Sequence, residues 1–215
     1  MSQTHSADTA PSIVIYGDFN CPFSAVADAR SARLAADGLV IVDWRCVEHD
    51  PTIGPHDTPL TTDQQSSFDA ELAQIGDLLD DGEPNHFRTP SRRLNTRDLN
   101  QLYASAAASV RPSLRSALFR AYWFDDLDLT DDAVVKAVTE AICNSAHADE
   151  ARPNGRRLAA TWQQEWNALP RAVVPTMVLP DGYVSRGLGA LSRLSNGSIS
   201  ASSATGKAPV PPPPA

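Results

Sequence analysis

Residues 13–19 constrain the fold more than any other stretch. Ile13, Val14, Ile15 and Tyr16 follow one another without a polar break. A strand with one face in water alternates, whereas a parallel strand covered on both faces reads as a continuous apolar run. Directly after it stand Asn20, Cys21 and Pro22, then an alanine-rich stretch to Ala36. Pro22 suits the first turn of a helix, where its missing N–H has no partner to lose. Asp37-Gly38 is a helix stop, and residues 39–44 form a second apolar, β-branched run. Strand, helix and strand in so short a span make a βαβ unit with a right-handed crossover.

From residue 62 to residue 169 the apolar period becomes helical. Phe68, Leu72, Ile75 and Leu79 recur over residues 62–82. Leu99, Leu102, Tyr103 and Ala106 do so over 95–110, with Asn95 as the expected N-cap. Pro112 opens a third helix, Thr130 or Asp131 a fourth, and Leu158, Trp162, Trp166 and Leu169 line a fifth. β-character returns at 173–179 and 183–186, on either side of Pro180-Asp181-Gly182, a hairpin signal. A short helix over 188–194 follows. The expected architecture is an α/β domain built from residues 12–61 and 170–195, with a helical insertion over 62–169. Residues 1–11 and 196–215 read as disordered tails, the second ending in a proline-rich run at 209–214.

The chain has 215 residues, enough to bury a core without disulfides. Lys and Arg number 18 against 26 Asp and Glu, a formal charge of −8. That balance argues against nucleic acid, whose phosphates need clustered cations, and against an anionic membrane surface. No apolar run reaches the length of a membrane span. The N-terminal MSQTHSADTAPS lacks the basic and apolar regions of a secretory signal, so a cytoplasmic location is expected. Three cysteines without an export signal do not form a disulfide framework.

Cys21 is the candidate nucleophile, with a buried structural cysteine at a strand end as the alternative. It stands between a buried strand and a helix, where unpaired amide N–H groups point at it. Those dipoles favour a thiolate and predict a pKa below that of a free cysteine. Asp18, three residues earlier, either relays a proton near the sulfur or ties the loop to backbone amides. Cys46 follows the second strand at the same sheet edge, as a resolving thiol or as packed core. Cys46-x-x-His49 with His56 is a weak zinc pattern lacking a second ligand pair, so no metal is expected. Cys143 beside Ile142 reads as core. Trp162 and Trp166, spaced i, i+4, share a face as core or as an aromatic pocket wall. Arg92, Arg93, Arg156 and Arg157 read as solvated surface or as carboxylate-binding groups. Pro175 opens an otherwise good strand, where proline is tolerated at the first position and where a cis bond at Val174–Pro175 would also explain it.

Taken together, these segments resemble the DsbA-like thioredoxin-fold family. Residues 16–24, YGDFNCPFS, resemble the start of such a domain: an aspartate, then Cys-Pro-aromatic-Cys at the end of the first strand. Asn95-Thr96, Leu118-Phe119-Arg120-Ala121-Tyr122 and Asp131-Asp132 are similar to motifs of the family's helical insert. Val174-Pro175-Thr176 before a hairpin resembles its cis-proline loop, and Gly187 falls where a glycine often precedes the last helix. The resemblance spans residues 13–194, with the FrnE-like and 2-hydroxychromene-2-carboxylate isomerase-like branches as the nearest relatives. It implies a thioredoxin-like fold with a large α-helical insertion. It also implies a site of Cys21, Ser24 and Pro175, with Val174, Thr176 and Asn95 placed to hold a small co-substrate.

The sequence departs from the family at Ser24, which stands where the second cysteine would be. A dithiol site releases its product with the second sulfur. A Cys-x-x-Ser site needs an outside thiol, such as glutathione or mycothiol, as co-substrate, with no tightly bound cofactor. Ser24 can also donate a hydrogen bond to the Cys21 thiolate. The expected activity is thiol–disulfide exchange through one cysteine, on a small-molecule thiol or disulfide or on a protein disulfide. A glutathione-dependent transferase or isomerase of the kappa-class type and a redox-inactive binding module are the alternatives. A homodimer is compatible with the sequence.

Overall fold

A computed structural model describes residues 10–54, 58–142 and 152–199. His56, Cys143 and the proline run at 209–214 lie outside them. In chain order, β1 (Ser12–Gly17), α1 (Pro22–Ala36) and β2 (Ile41–Cys46) form the βαβ unit. The insertion holds β3 (Thr58–Pro59), α2 (Thr62–Gly76), β4 (Arg92–Arg93), α3 (Arg97–Ser105), α4 (Arg111–Trp123), α5 (Asp132–Glu140) and α6 (Arg152–Asn167). The chain then returns as β5 (Thr176–Val178), β6 (Val184–Arg186) and α7 (Leu188–Asn196).

One sheet runs in the order β2-β1-β5-β6. β1 and β2 are parallel, in register from Ser12 with Ile41 to Gly17 with Cys46. β5 is antiparallel to β1 and β6 to β5. The continuous apolar run of β1 is accounted for by cover on both faces, with Ile13 and Ile15 buried on one and Tyr16 on the other. α1 and α7 pack together, and α3 and α6 pack on each other and on β2. A buried ion pair ties α1 to α4: Arg115 Nε lies 2.5 Å from Asp28 Oδ1. The Arg115 guanidinium also sits 4.6 Å from the centre of the Trp44 ring. This mixed α/β architecture agrees with the fold class that the sequence implies.

The helix starts follow local chemistry. Thr61 and Gln64 form a reciprocal capping box at α2. Pro112 sits in the first turn of α4, and the Asp131 carboxylate accepts the Ala133 amide at α5. Several boundaries differ from expectation. Thr96, not Asn95, holds the cap position of α3, although Asn95 Oδ1 still accepts the Arg97 amide. α2 stops at Gly76 rather than Gly82, which leaves Leu79 in the following segment. β2 begins at Ile41 because Leu39 is held in the turn that closes α1, its amide bonding to Leu34 O. Residues 196–199, read from the sequence as part of a tail, belong to the folded domain. Asn196 closes α7, Gly197 takes a left-handed conformation, the Ser198 amide bonds to Arg193 O, and Ile199 is buried. The β3–β4 ribbon, pairing Thr58 with Arg93, has no counterpart in the sequence reading.

α6 reaches α3 closely only because residue 155 is glycine. A Cβ there would stand 2.6 Å from Gln101 O and 2.7 Å from Ser105 Cβ. Alanine normally stabilises a helix interior by about 1 kcal/mol over glycine. Here Gly155→Ala is expected to destabilise by about 1–3 kcal/mol, because the clash is with backbone. Urea unfolding should show a lower midpoint with an unchanged slope.

Candidate functional site

Cys21 occupies the N-cap of α1 with an extended backbone (φ −108°, ψ 116°). Its amide bonds to Asp18 O at 3.1 Å, and its carbonyl accepts the Ser24 and Ala25 amides. The sulfur meets two walls. On the α1 side, the Ser24 hydroxyl and the amides of Phe23 and Ser24 face it. Opposite, its thiol donates to Val174 O at 3.8 Å.

The Val174–Pro175 peptide bond is cis. The loop around it is fastened at three points. Val173 O accepts both the Trp166 indole N–H at 3.2 Å and the Thr176 hydroxyl at 2.6 Å. Pro175 O accepts the Gly187 amide at 2.8 Å. Gly187 has φ 51°, which suits glycine. Trp166 and Trp162 are both buried in the core, Trp162 against Tyr103.

Cys21 corrects one expectation. Only 7% of the residue is exposed. Burial pushes its thiol up to about 11. The Ser24 hydroxyl and the two amides pull the other way, and Asp18 adds to the rise. The helix terminus is where the sequence puts it, but desolvation of the sulfur outweighs its donors. Ser24 is fully buried, and its oxygen also accepts the Asp18 amide at 3.3 Å.

Asp18 ties two loops. It is fully buried. Its Oδ2 accepts the His49 amide and faces His49 Nδ1, each at 2.8 Å. Its Oδ1 accepts the Asn20 amide at 3.4 Å. The loop carrying His49 continues the β1–β2 pairing, Val47 N bonding to Gly17 O. α6 holds it from the other side: Gln163 accepts the Glu48 amide at 2.7 Å and donates to Glu48 O at 3.1 Å. Sequence reasoning considered His49 only as a metal ligand and missed Gln163 entirely. The signal available was the parallel register, which sets the loops after β1 and β2 side by side.

The remaining candidates lie in other surroundings. Asn95 donates to Ile53 O at 2.6 Å, which fastens that loop to the start of α3. Cys46 is a free thiol, 1% exposed, packed in the core and raised well above the usual thiol range by burial. Cys46 and His49 therefore part company, one facing the core and one facing Asp18. Among the described residues no three or more His, Cys, Asp or Glu gather as a metal site. Arg93 pairs with Asp50 at 2.5 Å, Arg156 bonds to Gln101 and Arg157 to Asn154. A cavity of about 230 Å³ runs along α1 beyond Cys21, among Ala25, Ala29, Phe87, Phe119 and Phe124. Among the described residues no helix is long and apolar enough to cross a membrane.

A family model for the DSBA-like thioredoxin domain matches residues 12–194. The chain belongs to that family. No curated protein sequence matches it. Among solved structures it is similar to a probable DsbA oxidoreductase from Streptomyces coelicolor, 22% identical with a TM-score of 0.69 over 87% of this chain and 88% of that one. It is also similar to the cytosolic disulfide reductase DsbM from Pseudomonas aeruginosa, 13% identical with a TM-score of 0.62 over 87% and 98%. A 2-hydroxychromene-2-carboxylate isomerase is 20% identical, with a TM-score of 0.58 over 88% and 100%. At such identities the likenesses describe a shared DsbA-like thioredoxin fold.

The His49–Asp18 contact makes stability depend on pH. Burial alone would pull the imidazolium pKa down, but the hydrogen bond and charge of Asp18, with Asp50 and Glu71, carry it above the usual value. The contribution is complete below the unfolded pKa of about 6.5 and is lost as pH rises through the folded one. Urea unfolding should therefore show stability declining from mildly acid to mildly alkaline pH. Because the ring is partly exposed, the decline should stay below about 1 kcal/mol. Asp18→Asn should remove this component of the slope.

Proposed function

We propose that this protein is a thiol–disulfide oxidoreductase that works through a single nucleophile, Cys21. The observation that carries the reading is the seat of its sulfur. It lies between the N-terminal turn of α1 and the carbonyl that precedes the cis-proline, in a chain of the DSBA-like family. In the forward step the Cys21 thiol loses its proton and the sulfur attacks one sulfur of a disulfide. That S–S bond breaks, and the departing thiolate takes up a proton. Cys21 is left as a mixed disulfide.

Ser24 cannot attack this bond, so a second small thiol must. Its thiolate breaks the mixed disulfide, restores the Cys21 thiol and carries away the new disulfide. Glutathione and mycothiol have the required chemistry, and a reducing compartment such as the cytoplasm supplies thiols of this kind. A relative by fold, DsbM, has been solved with glutathione. Val174, Pro175 and Thr176 would align the incoming disulfide, and Asn95 would act through the loop it fastens.

The raised thiol also bears on the products. A cysteine of high pKa is a poor leaving group. Attack at the partner's sulfur would therefore be slow to expel Cys21, and the mixed disulfide would persist. The same burial favours a second reading, a redox-inactive binding module, because a thiol held at about 11 exposes little thiolate at neutral pH.

Incubation with oxidised glutathione, read by intact mass and peptide mapping, separates the two. The oxidoreductase reading expects one glutathione on Cys21, none on Cys46, and release by added thiol. Cys21→Ser should abolish both the adduct and all turnover. A wild-type protein that never takes up glutathione while a small neutral alkylating agent reaches Cys21 would leave the binding module as the better account.

A further inference from the structure

Thiol exchange at Cys21 leaves one buried charge without a task. Asp18 is wholly buried, and its charge opposes a thiolate at Cys21. A bare carboxylate there would resist every step in which the sulfur becomes an anion. The group that answers it comes from the other strand end. His49 places its Nδ1 2.8 Å from Asp18 Oδ2, while its side chain keeps 36% of its surface in solvent. One end of the pair can therefore exchange protons with water while the other lies within electrostatic reach of the sulfur.

The charges around the ring favour this assignment. Asp50, on the same loop, pairs with Arg93 of β4, and its carboxyl titrates below the usual range through Thr52 and Arg93. Glu48 pairs with Arg97 of α3. Glu71 of α2 also faces the ring, its carboxyl raised by burial and lowered by His49. Arg93 and Arg97 are each engaged by a carboxylate of the loop, and the charges that act on the imidazole, those of Asp18, Asp50 and Glu71, are acidic. The loop itself is anchored through Val47 N to Gly17 O and through Gln163, so the ring is delivered to Asp18 rather than resting there by chance.

The geometry points to His49 as a positioning residue of the Cys21 site. Its imidazolium, held on Asp18, cancels the field of the buried carboxylate at the sulfur and lets the thiolate form. This inference rests on Cys21 being the nucleophile. Its consequence is a coupling between two titrations. As pH rises the thiolate becomes more abundant, but where His49 gives up its proton the Asp18 charge is uncovered and the gain is checked.

The test uses the full chain and needs no disulfide substrate. The rate of Cys21 alkylation by iodoacetamide, a neutral reagent, is followed against pH by peptide mass mapping. The His49 ring is titrated by NMR in parallel. The wild-type rate should rise with pH in two stages, the break falling where His49 titrates. His49→Asn keeps a neutral amide donor but removes the charge. It should slow alkylation below the break roughly tenfold, about one pKa unit, and erase the break. In an Asp18→Asn background the same change should have no further effect.

A wild-type profile with a single inflection overturns the inference, and that reading is independent of whether any variant folds. So does an equal slowing by His49→Asn with and without Asp18. A two-stage profile in a protein that never forms a mixed disulfide with oxidised glutathione would sink the oxidoreductase reading and leave the His49 role standing. A Cys21 that iodoacetamide does not reach at any pH removes both.

Discussion

The parallel pairing of β1 with β2 is the constraint on which the rest depends. Parallel strands end at the same edge of a sheet, so the loops after Gly17 and Cys46 begin side by side. One loop carries Asp18 and Cys21, the other Glu48, His49 and Asp50. Had the strands been antiparallel, the second loop would start at the far edge and His49 could not reach Asp18. The close packing at this edge also explains Gly17, where a Cβ would lie 2.3 Å from the Trp44 ring. Aromatic bulk from β2 fills the space that a side chain on β1 would need.

The helical insertion does more than cover the sheet. Trp123 at the end of α4 donates to Phe19 O at 2.8 Å, and Asn20 donates to Leu94 O at 3.2 Å. The loop before Cys21 is thus gripped by two parts of the insertion, once at its backbone and once through the Asn20 side chain. The Asp28–Arg115 pair continues this tie further along α1. Replacing one partner of such a pair would strand a buried charge, which is why it binds α1 to α4 more firmly than its net energy suggests.

Much of the frame was legible in the sequence because single residues punctuate it. Pro22 and Gly38 bracket α1, Asp181-Gly182 marks the hairpin, and the helical period of the insertion survives in Phe68, Leu99 and Trp162. The cis bond at Val174–Pro175 followed from the resemblance of Val174-Pro175-Thr176 to the family's loop, since a proline at the mouth of a strand is also compatible with a trans bond. Other features left no trace. Strands as short as β3 and β4 have no period to detect. The partnership of Asp18 with His49 joins residues 31 apart, and neither side chain announces the other. The rise of the Cys21 thiol depends on how deeply the sulfur is covered, and covering is a property of the assembled insertion rather than of the strand-to-helix junction that the sequence displays. Asn95 shows the opposite case: the sequence marks it as special, and its amide is spent on Ile53 O and the Arg97 amide.

Gln163 and Trp166 stand one turn apart on α6. The first clasps the backbone at Glu48, the second the carbonyl of Val173. One rigid rod therefore fixes the spacing between the loop that carries His49 and the cis-proline loop, like the beam of a caliper. A shift of α6 along its axis would carry both jaws together and keep their separation, whereas a tilt would open one against the other. The spacing of the two loops is in this way a property of α6.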